Sequence, residues 1–490
     1  MITFHPHERQ RIAWYAIGVA LFYFVLREWT RTGYQEPGFG TSVFIVGIAG
    51  LLALFARLSK RSVHPVAYWL LVPTIILAGD LTLYANPFVM AFGLVATGVL
   101  LIAFAVHLLS TRLTVRNAVW LAVLGPFALL PLGVRGTQHM VQDALGEHRS
   151  IRAQHLRSGI LGVLIALPFL FVFGAILSDA NGAFESFLEY VLTSFRLNGE
   201  LIAWAFRVAI AVLLGGFLVG LIVLPAKHHA PFDPRMRPVT AATFFVLLDA
   251  LFATFVAFQL PEFFASDAWM RAHDFTYATL ARESFFSLLF AGALALLTVL
   301  LWYPTMTQSA ERAQHAVTRI ASTIFTLLTL VVAVSAITRI VRYVSVYGLT
   351  LDRVYAFIAT IALGVTLGIV LASLWRMRPL AYVARTIAIL GVIVFTLTMS
   401  VPMEYTVATW NVRRELSGNA QDPEFDALYI LALSPDAWSA LDALPVSISP
   451  SEEQRERRQW KCDVLRTPWQ NYHLLASHAC RKIAAPLTLP

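Results

Sequence analysis

The chain has 490 residues, of which 58% are apolar and only 13% are Asp, Glu, Lys or Arg. Soluble proteins carry about 25% charged residues, and a mean hydropathy of +0.68 over such a length leaves too little polar surface to cover a core. This excludes a water-soluble enzyme, a disordered chain, a collagen-like fibre and a disulfide-stapled secreted mini-protein, and leaves an all-α polytopic membrane bundle.

The net charge of +8 divides unevenly. Residues 1–403 carry 28 basic and 18 acidic side chains, and residues 404–490 carry 9 basic and 11 acidic. The chain therefore reads as a basic membrane body, 1–403, followed by a small soluble helical domain, 404–490. The basic residues form no clustered patch, which argues against nucleic-acid binding. The solvent and principal partner of the body is the lipid bilayer.

A helix crossing the hydrocarbon needs about 20 mostly apolar residues, because every backbone N–H and C=O must be paired inside lipid. Twelve runs qualify, near 11–27, 42–57, 63–80, 83–109, 117–134, 158–178, 200–224, 239–260, 283–303, 319–338, 353–375 and 384–403. Trp14, Trp69, Trp120, Trp204, Trp302 and Trp375 sit near run ends, where amphipathic rings favour the headgroup level. The run at 117–134 is broken by Gly125-Pro126 and Pro131, so eleven and twelve crossings both remain open.

Basic loops around Arg135 to Arg157, Lys227 to Arg237, Arg312, and Arg376 to Arg385 are expected on the cytoplasmic side of the membrane. They alternate with acidic loops holding Asp179, Glu185 and Glu189, and then Glu262, Asp267 and Asp274. That alternation places the tail after residue 403 outside. Between two runs, Phe184, Phe187, Leu188, Val191, Leu192 and Phe195 recur at helical spacing, which predicts an amphipathic helix over 183–196 lying in the outer interface or packed on the bundle.

In the tail, Ser434-Pro435-Asp436 reads as a helix start, with an N-cap, Pro at the first helical position and an acid in the first turn. Four or five short helices are expected after 404. The only two cysteines, Cys462 and Cys480, fall here. They either form one disulfide, as a periplasmic location would allow, or stay reduced and buried. No metal site is expected at their spacing.

Few residues inside the body can carry chemistry. Asp249 lies in the middle of a run, where an unpaired carboxylate costs about 2.5–3.5 kcal/mol on insertion scales. Arg207, in the preceding run, is its candidate partner, and the two form either a proton or ion relay or a buried structural pair. Asp80 and Asn86 flank a short turn between two runs. Gly364 and Gly368 form a small-xxx-small pair suited to packing inside the bundle. No nucleotide loop, metalloprotease motif, nucleophile elbow or dinucleotide fingerprint occurs, so no catalytic residue and no cofactor is assigned.

Phe275-Thr276-Tyr277-Ala278, Ala281-Arg282-Glu283-Ser284-Phe285-Phe286, Arg342-Tyr343, Tyr347-Gly348-Leu349-Thr350 and Arg353-Val354-Tyr355 form one set of recognisable stretches. Trp410-Asn411-Val412-Arg413-Arg414, Leu431 to Ala437 and Trp469-Gln470-Asn471-Tyr472 extend it into the tail. Together they resemble a family of uncharacterised bacterial polytopic inner-membrane proteins known only as a domain of unknown function. The likeness covers roughly residues 150–480. It departs from the family pattern at Glu283-Ser284 and at Asp249, where the family carries Asn.

The resemblance implies membrane location and a helical tail. It would place Arg282, Glu283, Arg339, Arg342, Tyr343, Tyr347, Asp352 and Arg353 on or near the outer face. Arginines there run against the positive-inside bias, so they are expected to pair with acids or to meet an anionic ligand or protein partner. The leading expectation is a non-enzymatic sensor, scaffold or assembly protein of undetermined oligomeric state. The alternative is a secondary transporter or proton-coupled permease built on Asp249 and Arg207.

Overall fold

A computed structural model describes residues 37–58, 68–109, 151–194, 238–264, 284–307, 312–417, 426–443 and 472–484, together with Gly18, Glu456, Arg458, Gln459 and Cys462. Every element among them is helical: α1 Phe39–Leu58, α2 Leu71–Leu83, α3 Pro87–Leu109, α4 Ile151–Ala180, α5 Gly182–Ser194, α6 Pro238–Phe264, α7 Ser284–Thr307, α8 Arg312–Tyr347, α9 Leu351–Trp375, α10 Leu380–Ser400, α11 Met403–Leu416, α12 Ala427–Ala432, a 3-10 helix Pro435–Ala443, and α13 Leu474–Ala484. Seven of them (α3, α4 and α6 to α10) are long and apolar enough to cross a bilayer, and α1 and α2 are shorter apolar helices. The protein is a multi-pass helical membrane bundle. The runs at 11–27, 117–134 and 200–224 lie outside the described residues, Gly18 apart.

Lipid offers no hydrogen bonds, so apolar runs close their backbone internally and continue until a polar residue or turn can take over. Asparagines make two of those turns. Asn86 Oδ1 accepts the N–H groups of Phe88 at 2.7 Å and Val89 at 3.2 Å, capping α3. Asn181 Oδ1 accepts Phe184 N–H at 2.9 Å and starts α5 directly after α4.

The chain divides into two compact units. One contains 1–122, 349–351 and 391–490, and the other contains 123–348 and 352–390. In the second, α6 packs on α4 and α8, and α7 packs on both of those neighbours. Interlocked rings fill the centre: Phe173 lies 5.1 Å from Phe252, Phe252 lies 4.8 Å from Phe325, and Phe244 lies 4.8 Å from Trp302, centroid to centroid. Aromatic pairs of this kind add about 0.5–1.5 kcal/mol each beyond the area they cover. Trp302, placed by sequence at the headgroup level, is instead 1% exposed, because its ring fills the gap beside Phe244 and Phe245. Trp69 and Trp375 are exposed, at 71% and 54%.

Helix polarity in this unit is fixed by bonds between ends. Thr318 Oγ1 donates to Pro238 O at 2.9 Å, bringing the starts of α6 and α8 together. Tyr303 OH donates to Arg378 O at 2.9 Å, joining the close of α7 to the turn after α9. At the opposite end of the helices, Ser287 hydrogen-bonds Asp179. The apolar stripe of α5 packs on α6 through Phe184 and Phe187, with Phe184 5.2 Å from Phe255, and Leu188 lies against Gly174 of α4. Tyr190, off that stripe, is 71% exposed.

In the first unit, α1, α2 and α3 share a small core around Ile45, Ala78, Leu81 and Met90. The end of α10 joins α2 and α3 through Met399, Leu77 and Leu100. The tail closes over Val412, Ile430, Ala437 and Leu441, and Trp438 is buried beside Cys462 and Cys480.

Candidate functional site

Three groups of polar residues stand out, one midway along α6, one around the α8–α9 turn and one in the first unit. Asp249 lies halfway along α6 with its Oδ1 buried and without a hydrogen-bond partner. Ten residues further along the same helix, Gln259 is fully buried, and both of its amide heteroatoms lack a partner. Two such residues on one spanning helix are costly, since a buried polar group without a bond loses about 1–3 kcal/mol. Arg207, the candidate counter-ion, lies outside the described residues.

Around the α8–α9 turn, Arg339 is 6% exposed and donates from Nη1 to Ala180 O at 3.0 Å. Arg353 donates to the carbonyl of Gly348, and its guanidinium lies 4.1 Å from the centroid of Tyr343. Tyr343 in turn stacks on Tyr347 at 4.7 Å. These arginines are thus engaged by main-chain oxygens and rings. Arg342 is half-buried on the same helix, while Arg282 and Glu283 fall outside the described residues. In the tail, Asp426 caps α12 by accepting Tyr429 N–H at 2.9 Å.

Gly348 has φ 80°, a left-handed conformation that suits glycine and lets the chain leave α8 sharply. The next peptide is clasped from the tail. Asn411 Oδ1 accepts Leu349 N–H at 2.9 Å, and Asn411 Nδ2 donates to Leu349 O at 2.8 Å. Two stretches that carried the sequence resemblance, Tyr347 to Thr350 and Trp410 to Arg414, meet at this clasp.

The third group was only partly visible in the sequence. Asp80, buried to 3% exposure, accepts the Ser400 hydroxyl at 2.8 Å. Tyr84 OH donates to Ser400 O at 2.6 Å. Across the turn, the Asp436 carboxylate accepts Ala85 N–H at 2.8 Å. Glu404 accepts Ser434 N–H at 2.9 Å and also the Ser434 hydroxyl. The serine therefore binds a carboxylate rather than capping the helix it precedes. Burial holds the His473 imidazole below its usual range, beside the backbone of Leu81 and Tyr84. Asp436 was legible as a first-turn acid, but nothing local in the sequence marked Glu404 or His473.

Cys462 and Cys480 are joined in a disulfide with Cα atoms 5.4 Å apart. Among the described residues, no three His, Cys, Asp or Glu side chains are grouped as metal ligands.

A family model described as "Domain of unknown function (DUF4153)" matches residues 71–444. The match starts earlier than the sequence resemblance suggested, taking in the α2–α3 turn with Asp80 and Asn86. No curated protein and no solved structure matches the chain.

Proposed function

Because the chain belongs to that family of unknown function, we propose that it is a non-enzymatic protein of a bacterial inner membrane whose tail acts on the periplasmic side as a sensing, scaffolding or assembly domain. The observation that carries this reading is the Cys462–Cys480 disulfide packed against Trp438, because such bonds persist in oxidising compartments and rarely in the cytosol. Charge supports the same orientation: the turn after α9 carries Arg376 and Arg378, and Arg385 follows in α10. The partner is a protein or an anionic ligand met by the tail.

Labelling with a membrane-impermeant maleimide in intact cells tests it, since these are the only cysteines. After mild reduction, both thiols are expected to react without lysis, and reaction only after lysis would overturn the orientation. Deleting 404–490 is expected to leave the body inserted and abolish the function.

Asp249 supports a second reading, a proton-coupled permease, because a carboxyl in mid-span with a buried, unbonded oxygen is costly to keep for structure alone. In proteoliposomes carrying a pH-sensitive dye, that reading requires proton uptake that Asp249→Asn abolishes. Equal uptake in wild type and variant sinks it.

A further inference from the structure

Asp80, Glu404 and Asp436 are each no more than 6% exposed, and they belong to the same compact unit. They come from α2, the start of α11 and the 3-10 helix. A carboxyl taken out of water must be neutral, paired or richly hydrogen-bonded, and two facing each other resist simultaneous ionisation.

The groups facing Asp436 come from every neighbouring element. Glu404 bears on it from α11, and Tyr84 feels the charge of both Asp80 and Asp436 from the α2–α3 turn. The Ala85 N–H bonds one oxygen of the carboxyl, and the other, Oδ1, is buried without a partner. His473 stands at the entry to α13, with its ring beside the backbone of the same α2–α3 turn. Arg458 donates to Trp438 O at 3.2 Å and lies over the Trp438 ring.

We propose that this cluster is a pH-operated latch: the tail stays clasped on the α2–α3 turn while the Asp436–Glu404 pair retains a proton, and the clasp loosens when both carboxyls ionise. The geometry makes the pair the closing element, because Asp436 holds Ala85 N–H and Glu404 holds Ser434, two residues before Asp436.

Burial first, and then the charge of Glu404, push Asp436 up to about 7, against the opposing bond from Ala85. A carboxyl raised in the clasped state adds clasping strength that is complete in acid and is lost as pH rises through that value. His473 works the other way, since protonating its buried ring opposes clasping as pH falls below its ordinary value of 6.5. The latch therefore loosens as pH rises through neutrality and changes little beyond it.

This deepens the sensing reading by naming its stimulus, and it rests on that reading only for the side of the membrane on which the pH is sensed. The test uses purified full-length protein in nanodiscs, where sidedness plays no part. Hydrogen exchange, corrected for the intrinsic rate at each pH, gives protection factors for peptides covering 435–443 and 474–484. Between pH 6 and pH 8, release of one proton near 7 lowers tail protection, the opposing titration of His473 reducing the loss from about 10-fold to about 2- to 3-fold, while α6 is unchanged. Asp436→Asn keeps an acceptor for Ala85 and shows no loss of protection, leaving only the His473 effect, which has the opposite sign. Glu404→Gln removes a cause of the elevation and moves the midpoint to lower pH. Unchanged tail protection in wild type, an equal loss in α6, a wild-type response in Asp436→Asn, or an unmoved midpoint in Glu404→Gln would each overturn the latch.

Discussion

Asp436 and Ala85 lie 351 positions apart in sequence, yet the carboxylate of one accepts the main-chain N–H of the other at 2.8 Å. The bond gives a buried turn donor its partner, and a first-turn acid of the tail a role beyond its own helix. Asp436→Ala leaves that N–H unsatisfied and costs about 1–3 kcal/mol. The measurement is thermal unfolding in detergent at pH 6, where Asp436→Asn should lose less.

Gly162 marks a close approach of α4 to α6. A Cβ at this position would lie 2.7 Å from Thr240 O and 2.8 Å from Thr243 Cβ, so main chain would have to move. Gly162→Ala is expected to destabilise the second unit by about 1–3 kcal/mol. The Gly364–Gly368 pair behaves differently: the nearest atom to a Cβ at Gly364 is Leu330 Cδ2 at 4.0 Å, and Gly368 has open space. Gly368→Ala should leave the melting temperature unchanged, and a drop equal to that of Gly162→Ala would refute the assignment.

Met377 has φ 52° in the turn that ends α9, where Arg378 N–H reaches back to Ser373 O at 3.0 Å. That arrangement favours glycine, and an L-residue pays about 1–2 kcal/mol to adopt it. Met377→Gly is expected to raise the melting temperature by a few degrees, offset in part by the entropy of the freer unfolded chain.

Asp249→Leu replaces a carboxyl whose Oδ1 has no partner with an apolar side chain suited to the span. Unfolding in detergent should show unchanged or higher stability. A marked loss would mean that the carboxylate is held by an essential structural bond.

Reducing the Cys462–Cys480 bond opens a loop of 18 residues, which corresponds to about 3 kcal/mol in the chain-entropy account. Proteolysis after reduction is expected to cut first within the tail, leaving α4 and α6 to α9 intact. Simultaneous cleavage of the bundle would show that the disulfide stabilises more than the tail.

The amino-acid order by itself determined the class of this protein and the location of most of its helices. Lipid forces each apolar run to satisfy its backbone locally, so α6 at 238–264 and α9 at 351–375 lie close to the runs read at 239–260 and 353–375. Local chemistry also marked the start of the 3-10 helix after Ser434. Only the tertiary structure decided which side chains meet. Trp302 entered the core because Phe244 and Phe245 left a space of its shape, and Ser434 meets Glu404, thirty residues away, because α11 packs on the 3-10 helix. A periodicity of 3.6 residues fixes the face on which a residue lies, whereas its partner depends on how distant segments pack, and local spacing carries no record of that.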